Sequence, residues 1–453
     1  MQYLNRRQVL QHTLVGALGL GALGRNPSRL FAEAANPLAP KSPHFTPRAK
    51  RVILFFMPGG VSHVDTFDPK PALRRDHGKP FGKGRVLTGS RWDSRPCGQS
   101  GLEISDLFPH LAQSADDLCL IRSMHGDKGD HFEATLGIHS GATAGTLPGI
   151  GAWISYGLGT ENPNLPSHVV FCERLPYAGA QAWDSNFLPA YHQGTRITPG
   201  DEPIPNLRPS GPLASHQAGE LELLQWMNAR HRDARPADSV LGARMYSFEA
   251  AVGLQQAAPE AFDLADESNA TLELYGVKPG DRTSFAWQCL MARRMTERGV
   301  RFIELVDKGA SGNWDAHSKM QSYDRLAANV DRPMAALITD LKRRGLFDET
   351  LIVWCTEFGR TPSAKQDQQD GRDHYKDAFT CWLAGGGVKG GKAVGATDEH
   401  GLEIVENPVH INDFHATILH LLGFDHTKLT YFFAARNFRL TGLAGKVVHQ
   451  VLS

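Results

Sequence analysis

Six apolar runs of strand length limit the folds that are open to this chain of 453 residues. Each run is rich in β-branched or aromatic residues and is continuous, which is typical of strands buried on both faces. Amphipathic helical patterns lie between the runs. This alternation predicts an α/β fold with a large, mostly parallel sheet and helices on both faces. The runs are RVILFFM, LCLIRSM, HVVFCE, VRFIELV, TLIVWC and FTCWLAGGG, which begin at residues 51, 118, 168, 300, 350 and 379.

Helix signals and composition divide the chain further. The segment DRPMAALITDLKRRG predicts a helix with Asp331 as N-cap and a glycine stop at Gly345. Residues from about 203 to 276 are polar and helix-rich and lack a strand pattern, so we expect a helical insertion beside the sheet. The sequence therefore predicts one domain over residues 51–453 that carries this insertion.

The N-terminal residues have the pattern of an export leader. Arg6 and Arg7 precede the apolar segment TLVGALGLGAL, which is too short for a stable membrane anchor. The small residues Ala32 and Ala34 offer a cleavage site, so residues 1–35 predict a twin-arginine signal peptide, followed by a Pro-rich linker over 36–50. An ordinary basic signal peptide is the alternative, and it would also mean export. We expect a periplasmic or secreted protein, handled by the twin-arginine export machinery, without a membrane span in its mature form.

Charge and histidine content narrow the classes of partner. Lys plus Arg and Asp plus Glu both number 48, so no overall field attracts nucleic acid or an anionic membrane. The 20 histidines make metal or proton chemistry worth looking for.

Polar clusters follow the apolar runs at the places where a bound ligand is expected. In open α/β sheets, ligands bind outside the carboxyl ends of the strands. Four runs end in clusters that contain His, Asp or Glu, and a further cluster lies just before the last run. The sequence therefore predicts that these clusters meet at one edge of the sheet. They are GGVSHVDTFDPKP, HGDKGDHFEATLGIHSG, DKGASGNWDAH and TEFGRTP after runs, and GRDHYKD before one.

Two of these clusters hold an acid close to a histidine. Asp315 and His317 are two residues apart, so an extended backbone points both the same way, and their atoms are natural ligands for zinc or manganese. The alternative is a helix start in which Asp315 caps and His317 lies in solvent. Asp373 and His374 are adjacent, so we expect one to bind metal while the other hydrogen-bonds to a ligand and orients it. The alternative is that both lie in a solvated polar loop.

The remaining candidate ligands lie after the first and the fifth runs. His63 and Asp65 share the two-residue spacing and follow a Gly-Gly turn. Glu357 comes directly after a buried strand, where an unpartnered carboxylate would cost several kcal/mol, on the order of the penalty for burying an ion. Its partner is either Arg360, in a plain ion pair, or a metal ion, and we favour the metal with Arg360 behind it.

Longer motifs resemble a bacterial domain-of-unknown-function family (fifteen-oh-one), which typically has a twin-arginine leader. The resemblance runs from about residue 51 to the C-terminus. It implies the fold of the alkaline phosphatase and sulfatase superfamily, a large α/β sheet with metal ions at the strand ends. The motifs that carry it are GGVSHVDTFDPKP, DLFPHLAQSADDLCLIRSMH, GAWISYGLGTENPNLPSHVV, TEFGRTP, GRDHYKDAFTCWLAGGGVKGG and PVHINDFHATILHLLGFDHTKLTYFFAARNFRLT.

The superfamily resemblance assigns residues motif by motif. In the place of Ser/Thr-Asp-His-Gly this chain has TEFG, so Glu357 stands for the aspartate and Phe358 replaces the histidine. The segment HFEATLGIHSG is similar to the sulfatase nucleophile motif and has His131 at the nucleophile position. Asp315 and His317 resemble a metal-binding pair, His374 resembles a late histidine ligand, and His63 or Asp65 takes the place of the first-strand aspartate.

Together the residues and the resemblance predict an exported metal-dependent hydrolase of phosphate or sulfate esters. One or two divalent ions (zinc, manganese or calcium) would be held by ligands drawn from His63, Asp65, Asp315, His317, Glu357, Asp373 and His374. His131 would act as base, ligand or nucleophile, and Arg360 would steady the anionic group. The expected substrate is a small anionic ester or a sulfated or phosphorylated polymer. The alternative is a catalytically silent binding protein for an anionic polysaccharide or a cell-envelope partner.

Overall fold

The computed structural model describes residues 38–82, 84–205, 216–235, 239–367 and 370–453. The leader expected over residues 1–35 lies outside these ranges. Within them a nine-stranded sheet runs through the centre of the fold, in the order β14-β5-β13-β9-β1-β8-β6-β7, with β17 also paired to β5. The strands, numbered in chain order, are β1 (Arg51–Phe56), β2 (Arg85–Leu87), β3 (Ser94–Cys97), β4 (Leu102–Ser105), β5 (Leu118–His125), β6 (His168–Cys172), β7 (Thr195–Ile197), β8 (Phe302–Val306), β9 (Thr350–Cys355), β10 (Gly359–Arg360), β11 (Ser363–Lys365), β12 (His374–Tyr375), β13 (Phe379–Ala384), β14 (Lys392–Val394), β15 (Ala396–Thr397), β16 (Ile404–Glu406), β17 (Val409–His410), β18 (Tyr431–Phe433) and β19 (Arg436–Phe438).

Helices cover both faces of the central sheet. Alternate residues of β1 separate into two cores: Phe55 faces the core that contains Trp287 and Leu337, and Phe56 faces the core that contains Trp153 and Phe414. The α/β class with a mostly parallel, doubly covered sheet is therefore confirmed. The α-helices are α1 (Pro71–Arg75), α2 (His131–Ser140), α3 (Ile150–Leu158), α4 (Gln217–Asp233), α5 (Ser239–Phe262), α6 (Asn269–Tyr275), α7 (Phe285–Glu297), α8 (Ser322–Arg343) and α9 (Ile411–Leu421).

Strand β13 runs against its neighbours, and this direction matters for the site. It is antiparallel to both β5 and β9, whereas β1 is parallel to β8 and β9. Because β13 is reversed, the residues that precede it lie at the edge where β1, β8 and β9 have their carboxyl ends. Asp373 and His374 therefore reach the same edge as the segments that follow those three strands.

Helix α8 begins earlier than the sequence pattern indicates. Its N-cap is Gln321, and Asp331 lies in its interior, so the prediction of Asp331 as N-cap was wrong. The Asp331 carboxylate instead accepts hydrogen bonds from the backbone N–H groups of His110 and Leu111, at 2.9 and 2.8 Å. By local sequence alone, Pro333 would be placed in the first turn of a helix, because a proline in a helix interior removes a backbone hydrogen bond. In α8 the packing of the amphipathic helix against the core outweighs this loss. The helix ends as expected just before Gly345, which has a φ of 68°.

The segment 203–276 contributes α4, α5 and α6, apart from residues 206–215 and 236–238, which lie outside the described ranges. A buried ionic network ties this segment to the sheet-covering helices: Glu267 contacts Arg293 at 2.6 Å and also Arg294, and Arg293 contacts Asp340 at 3.0 Å. In the part of the chain that the structure describes, no helix combines the length and the apolar character needed to cross a membrane.

A buried ion pair joins two loops beside the carboxyl edge of the sheet. Arg372 Nε donates to Asp65 Oδ2 at 2.6 Å, and both side chains are 1% exposed. The same guanidinium also donates to the carbonyl oxygens of Thr88 and Thr361, at 2.9 and 3.1 Å. Since an arginine cannot lose its charge by deprotonation, the pair is needed to keep this guanidinium compensated.

We expect Asp65→Asn to lower the free energy of unfolding by about 3 kcal/mol, because it leaves the buried Arg372 charge without its carboxylate. The matched control is Asp370→Asn, which breaks the half-exposed Arg91–Asp370 pair (2.5 Å) on the neighbouring surface. That variant should lose less than about 1 kcal/mol, since exposed pairs contribute little. Urea denaturation followed by circular dichroism measures both, and equal losses would contradict the assigned role of Asp65.

Candidate functional site

The segments that follow β1, β8 and β9 converge with the first turn of α2 and with β12. Direct contacts join residues that are far apart in the chain: the backbone N–H of Gly59 donates to Glu357 Oε1 at 2.8 Å, and His131 Nδ1 lies 2.7 Å from the same oxygen. Arg360 contacts Asp315 at 2.5 Å. The polar clusters that the sequence places at strand ends therefore do form one region.

Three side chains in this region lie close enough together to hold a metal ion. His131, Asp315 and His374 each bring one ligand atom within 4.8 Å of the other two. His131 Nε2 is 3.4 Å from Asp315 Oδ2, and His374 Nε2 is 3.6 Å from Asp315 Oδ1. Two imidazole nitrogens and a carboxylate are a donor set that suits zinc or manganese.

His131 is held between two carboxylates and two aromatic rings. It is buried at the start of α2, with Glu357 at Nδ1 and Asp315 on the side of Nε2. Tyr177 stacks on it at 4.0 Å with the ring planes 8° apart, and Phe358 lies 4.8 Å away at a tilt of 36°. Burial by itself lowers the pKa of His131, but the contacts with Asp315 and Glu357 outweigh it and raise the pKa to about 9.

Glu357 therefore meets an imidazole rather than a guanidinium. Its side chain is fully buried, and its second oxygen accepts from the Thr356 hydroxyl at 3.2 Å. Arg360, which the sequence offered as the alternative partner of Glu357, contacts Asp315 instead. The metal contact predicted for Glu357 stays a prediction. In the geometry seen here Glu357 fixes one nitrogen of His131 and leaves the other facing Asp315.

Asp315 carries the largest number of charged contacts in the site. Arg360 and His317 Nε2 lie 2.5 and 3.0 Å from its Oδ1, and His131 and His374 complete its surroundings. Burial raises the pKa of Asp315, but the neighbouring imidazoles of His131 and His374 and the charge of Arg360 prevail and hold this pKa well below its usual range. The carboxylate is therefore ionised at any ordinary pH.

Arg360 is fully buried, and its N–H groups face protein acceptors. Nε donates to the carbonyl oxygen of Gly60 at 2.8 Å, Nη2 to that of Gly59 and to Asp315, and Nη1 to that of Arg372 at 3.1 Å. The fifth N–H, on Nη1, faces His317 Nε2 at 3.5 Å, so a direct contact of Arg360 with an anionic substrate, as predicted, would displace one of these contacts. Its position indicates instead a residue that holds Asp315.

His317 and Asp373 lie on the outer side of the site. His317 Nε2 is 2.9 Å from His374 Nε2, and its Nδ1 is 3.5 Å from Asp373 Oδ1. Arg85 contacts Asp373 at 2.6 Å. Burial and the charge of Arg360 lower the pKa of His317, and the pKa of Asp373 is also lowered, mainly because its hydrogen bond with Arg85 outweighs the effect of burial. Both remain close enough to contact a ligand.

His63 and Asp65 are not brought to the group of three, contrary to the expected ligand set. Asp65 is engaged by Arg372, as described above, and His63 Nε2 lies 2.9 Å from the carbonyl oxygen of Gly401. The reason is the short 3-10 helix His63–Asp65, which replaces the extended backbone on which their common direction was predicted. Burial lowers the pKa of His63, so it is a neutral, buried histidine.

Two observations fit the group of three to a metal ion. His131 Nε2 is buried and has no hydrogen-bond partner among the described residues. His374 Nδ1 lies 2.7 Å from the carbonyl oxygen of Gly129, to which it must donate, so in the neutral imidazole the lone pair is on Nε2, which lies 2.9 Å from His317 Nε2. An orphaned nitrogen and a fixed tautomer are the preparation that a histidine ligand needs.

Glycine at position 59 permits the close approach of two loops. Gly59 has a φ of 111°, and a Cβ there would lie 2.5 Å from the backbone nitrogen of Asp315. A side chain at this position would therefore push the loop that carries Asp315 away from the strand end.

Sequence reasoning missed Tyr177 and Asn313. Tyr177 lies beyond the carboxyl end of β6, at the edge where ligands are expected, and this position was the available signal. An uncharged tyrosine without a neighbouring Asp or His gives no motif for a ligand site. Asn313 Nδ2 donates to the Tyr177 hydroxyl at 3.1 Å, and Asn313 Oδ1 accepts from the backbone N–H of Asp315 at 3.1 Å. These two residues join the loop after β6 to the loop that carries Asp315.

Comparison with known proteins places the whole domain in one family. The family model described as "Protein of unknown function (DUF1501)" matches residues 49–452. A search of curated proteins found no match.

Solved structures with a similar fold are distant. The PsFucS1 sulfatase from Pseudoalteromonas sp. is 11% identical with a TM-score of 0.37, over 83% of this chain and 68% of its own. A phosphonate monoester hydrolase from Silicibacter pomeroyi is 13% identical with a TM-score of 0.34, over 82% and 73%. A TAB5 alkaline phosphatase with magnesium bound is 10% identical with a TM-score of 0.35, over 84% and 99%. Scores this low carry no argument about activity.

We expect Gly59→Ala to lower the free energy of unfolding by about 3 kcal/mol, because the new methyl group overlaps the backbone at Asp315. Gly312→Ala is the matched control: Gly312 also has a positive φ, of 65°, but a Cβ at that position would have no other atom within 4 Å. The control should lose about 1 kcal/mol from backbone strain alone. Thermal and urea unfolding compare the two, and a Gly59→Ala loss no larger than the control's would show that the contact is easily relieved.

Proposed function

The chain belongs to the DUF1501 family, and we propose that it is an exported, metal-dependent hydrolase of phosphate or sulfate esters. The observation that carries the proposal is the buried Nε2 of His131, which makes no hydrogen bond to a described residue, faces Asp315 Oδ2 at 3.4 Å and lies near His374. A histidine nitrogen in that position is costly to bury unless something binds it. The paired Arg6 and Arg7 of the leader support export by the twin-arginine route, and the choice of ester rests on the motif resemblance.

His131, Asp315 and His374 would hold the ion, which we take to be zinc or manganese, with calcium less suited to two imidazoles. A divalent ion bound there would polarise an ester oxygen and lower the pKa of a bound water. Glu357 orients His131 through Nδ1, and the carbonyl oxygen of Gly129 orients His374. In metalloproteins such partners fix the ring and raise the basicity of the ligand.

His131 can serve in one role at a time. Its Nδ1 is occupied by Glu357, so a single nitrogen remains for a metal ion, for a proton or for attack on an ester. If Nε2 binds the ion, a side-chain nucleophile is not needed. If the ion is held elsewhere, the Glu357–His131 pair has the arrangement of a carboxylate-oriented general base.

Arg360 acts in this proposal as a positioning residue. Its contacts with the carbonyl oxygens of Gly59 and Gly60 and with Asp315 join the loops after β1, β8 and β9. The charge of the guanidinium keeps Asp315 ionised and correctly placed. His317 and Asp373, which are more exposed, would contact the substrate, a small anionic ester or a sulfated or phosphorylated polymer, or a second ion.

We expect the purified mature protein to bind zinc or manganese. The variant His374→Ala should weaken that binding at least about 100-fold, because it removes a metal ligand itself and not only a residue that hydrogen-bonds to a ligand. Isothermal titration calorimetry measures the affinity. His400→Ala is the control, since His400 contacts Asp76 outside the site (2.9 Å). Chelation should abolish turnover in a screen of aryl phosphates and aryl sulfates. Unchanged zinc and manganese affinity in His374→Ala would overturn the assignment.

The variant Glu357→Gln should weaken zinc binding by about 10- to 100-fold, because an amide holds His131 Nδ1 less firmly than a carboxylate does. Glu349→Gln removes a carboxylate that pairs with Lys50 at 2.5 Å on the surface and serves as the control. Parallel titrations with zinc distinguish them. If Glu357→Gln behaves like Glu349→Gln, Glu357 has no part in the metal site.

A second candidate function is binding without turnover, of an anionic polysaccharide or a cell-envelope partner. One feature favours it: the site compensates its own charges, with Arg360 on Asp315 and the raised pKa of His131 beside Glu357. The nucleophile position also holds His131 in place of Ser, Thr or Cys. Metal binding without turnover of any ester, together with retention on a sulfated polysaccharide column, would favour this candidate.

A further inference from the structure

An anionic ester bound at the site needs hydrogen-bond donors, and the most obvious ones are already engaged. Four N–H groups of Arg360 donate to backbone carbonyls and Asp315, and the fifth, on Nη1, faces His317 Nε2 at 3.5 Å. The first turn of α2 is capped by Asp130, whose carboxylate accepts from the N–H groups of Phe132 and Glu133 at 3.0 and 3.4 Å. Neither the guanidinium nor this helix end therefore offers a ready donor to a substrate oxygen.

Tyr177 is placed to supply one. Its ring lies flat against His131 at 4.0 Å and is therefore fixed directly beside the group that would hold the ion. The side chain is only partly buried, unlike that of His131. The loop that carries Tyr177 follows β6 and ends at the same edge of the sheet as the other site loops.

The neighbouring Asn313 determines which way the Tyr177 hydroxyl can act. Asn313 Oδ1 accepts from the backbone N–H of Asp315, which fixes the orientation of the amide. Its Nδ2 must then donate, to the carbonyl oxygen of Gly309 at 2.7 Å and to the Tyr177 hydroxyl at 3.1 Å. The Tyr177 oxygen is therefore an acceptor in this contact, and among the described residues its own proton is given to no acceptor. A hydroxyl that accepts one hydrogen bond becomes a better donor in the next.

We propose that the Tyr177 hydroxyl donates a hydrogen bond to a tetrahedral oxyanion, of the phosphate or sulfate type, bound beside His131, Asp315 and His374. This inference rests on the proposed function and deepens it by naming a substrate-contacting residue. The chain of contacts from the Asp315 backbone through Asn313 to Tyr177 sets the donor in place before the anion arrives. Such preorganised donors are effective because they need no rearrangement when charge is bound.

The test uses the mature protein loaded with zinc and titrated with inorganic phosphate. Tyr177→Phe keeps the ring that stacks on His131 and removes only the hydroxyl. We expect its phosphate affinity to fall about 10-fold, the effect of one hydrogen bond to a charged group, while its zinc affinity stays within twofold of the wild type. Tyr156→Phe is the control, because the Tyr156 hydroxyl donates to the carbonyl oxygen of Thr430 at 3.1 Å, away from the site. Thermal unfolding of each variant checks the fold.

The possible results separate this inference from the proposal on which it rests. Weaker phosphate binding at unchanged zinc affinity supports the role of Tyr177. Phosphate affinity within twofold of the wild type, or an equal loss of zinc and phosphate binding, overturns that role and leaves the metal site intact. A wild-type protein that binds neither zinc nor manganese overturns both. If aryl phosphate turnover is found, Tyr177→Phe should lower kcat/KM by a similar factor, and Tyr156→Phe should not.

Discussion

The cost of burying charge at the carboxyl edge of the sheet governs how the loops of this protein are arranged. Each strand that delivers a carboxylate to this edge also requires a cation or a set of N–H donors close by, since an unpaired buried charge costs several kcal/mol, on the order of what a single domain can spare. Asp65 meets Arg372, Asp315 meets Arg360, and Glu357 meets His131. Each contact joins different loops, so the pairing of charges also sets the shape of the site.

The same pairing explains why the site supports two interpretations. A proton on His131 and a metal ion compete for the same nitrogen, and both would lie between His131 and Asp315. With the proton, the region is a self-compensated cluster of the kind that a binding protein could retain. With the ion, the proton must leave, so that metal binding and proton release are coupled. The hydrogen bond from His374 Nδ1 to the Gly129 carbonyl favours the interpretation with the ion. It leaves Nε2 of the neutral ring as a ligand atom, whereas compensation of the charges in the cluster does not require a fixed tautomer of His374.

The sequence allowed the sheet, its mostly parallel character and the edge where the polar clusters meet to be predicted, and it placed His131, Asp315 and His374 among the candidates. It failed where the local backbone departed from the assumed form. His63 and Asp65 were expected on an extended segment, but a turn of 3-10 helix separates their directions. Asp331 had the signature of an N-cap, yet tertiary packing extends α8 through it. In both cases the residue type was suited to the predicted role, but the backbone at that position had a different conformation from the one that the prediction assumed.

The sequence by itself determined which edge of the sheet gathers the polar side chains, because apolar runs and the polar segments that follow them are local features of the chain. Only the tertiary structure decided which cation each carboxylate meets. His131 and Glu357 are separated by 226 positions, and no local pattern relates them. The reversed direction of β13, which brings His374 to the site, is likewise set by which strands pair. Spacing along the chain gives the direction of neighbouring side chains, whereas contact between distant ones depends on the packing of the whole domain.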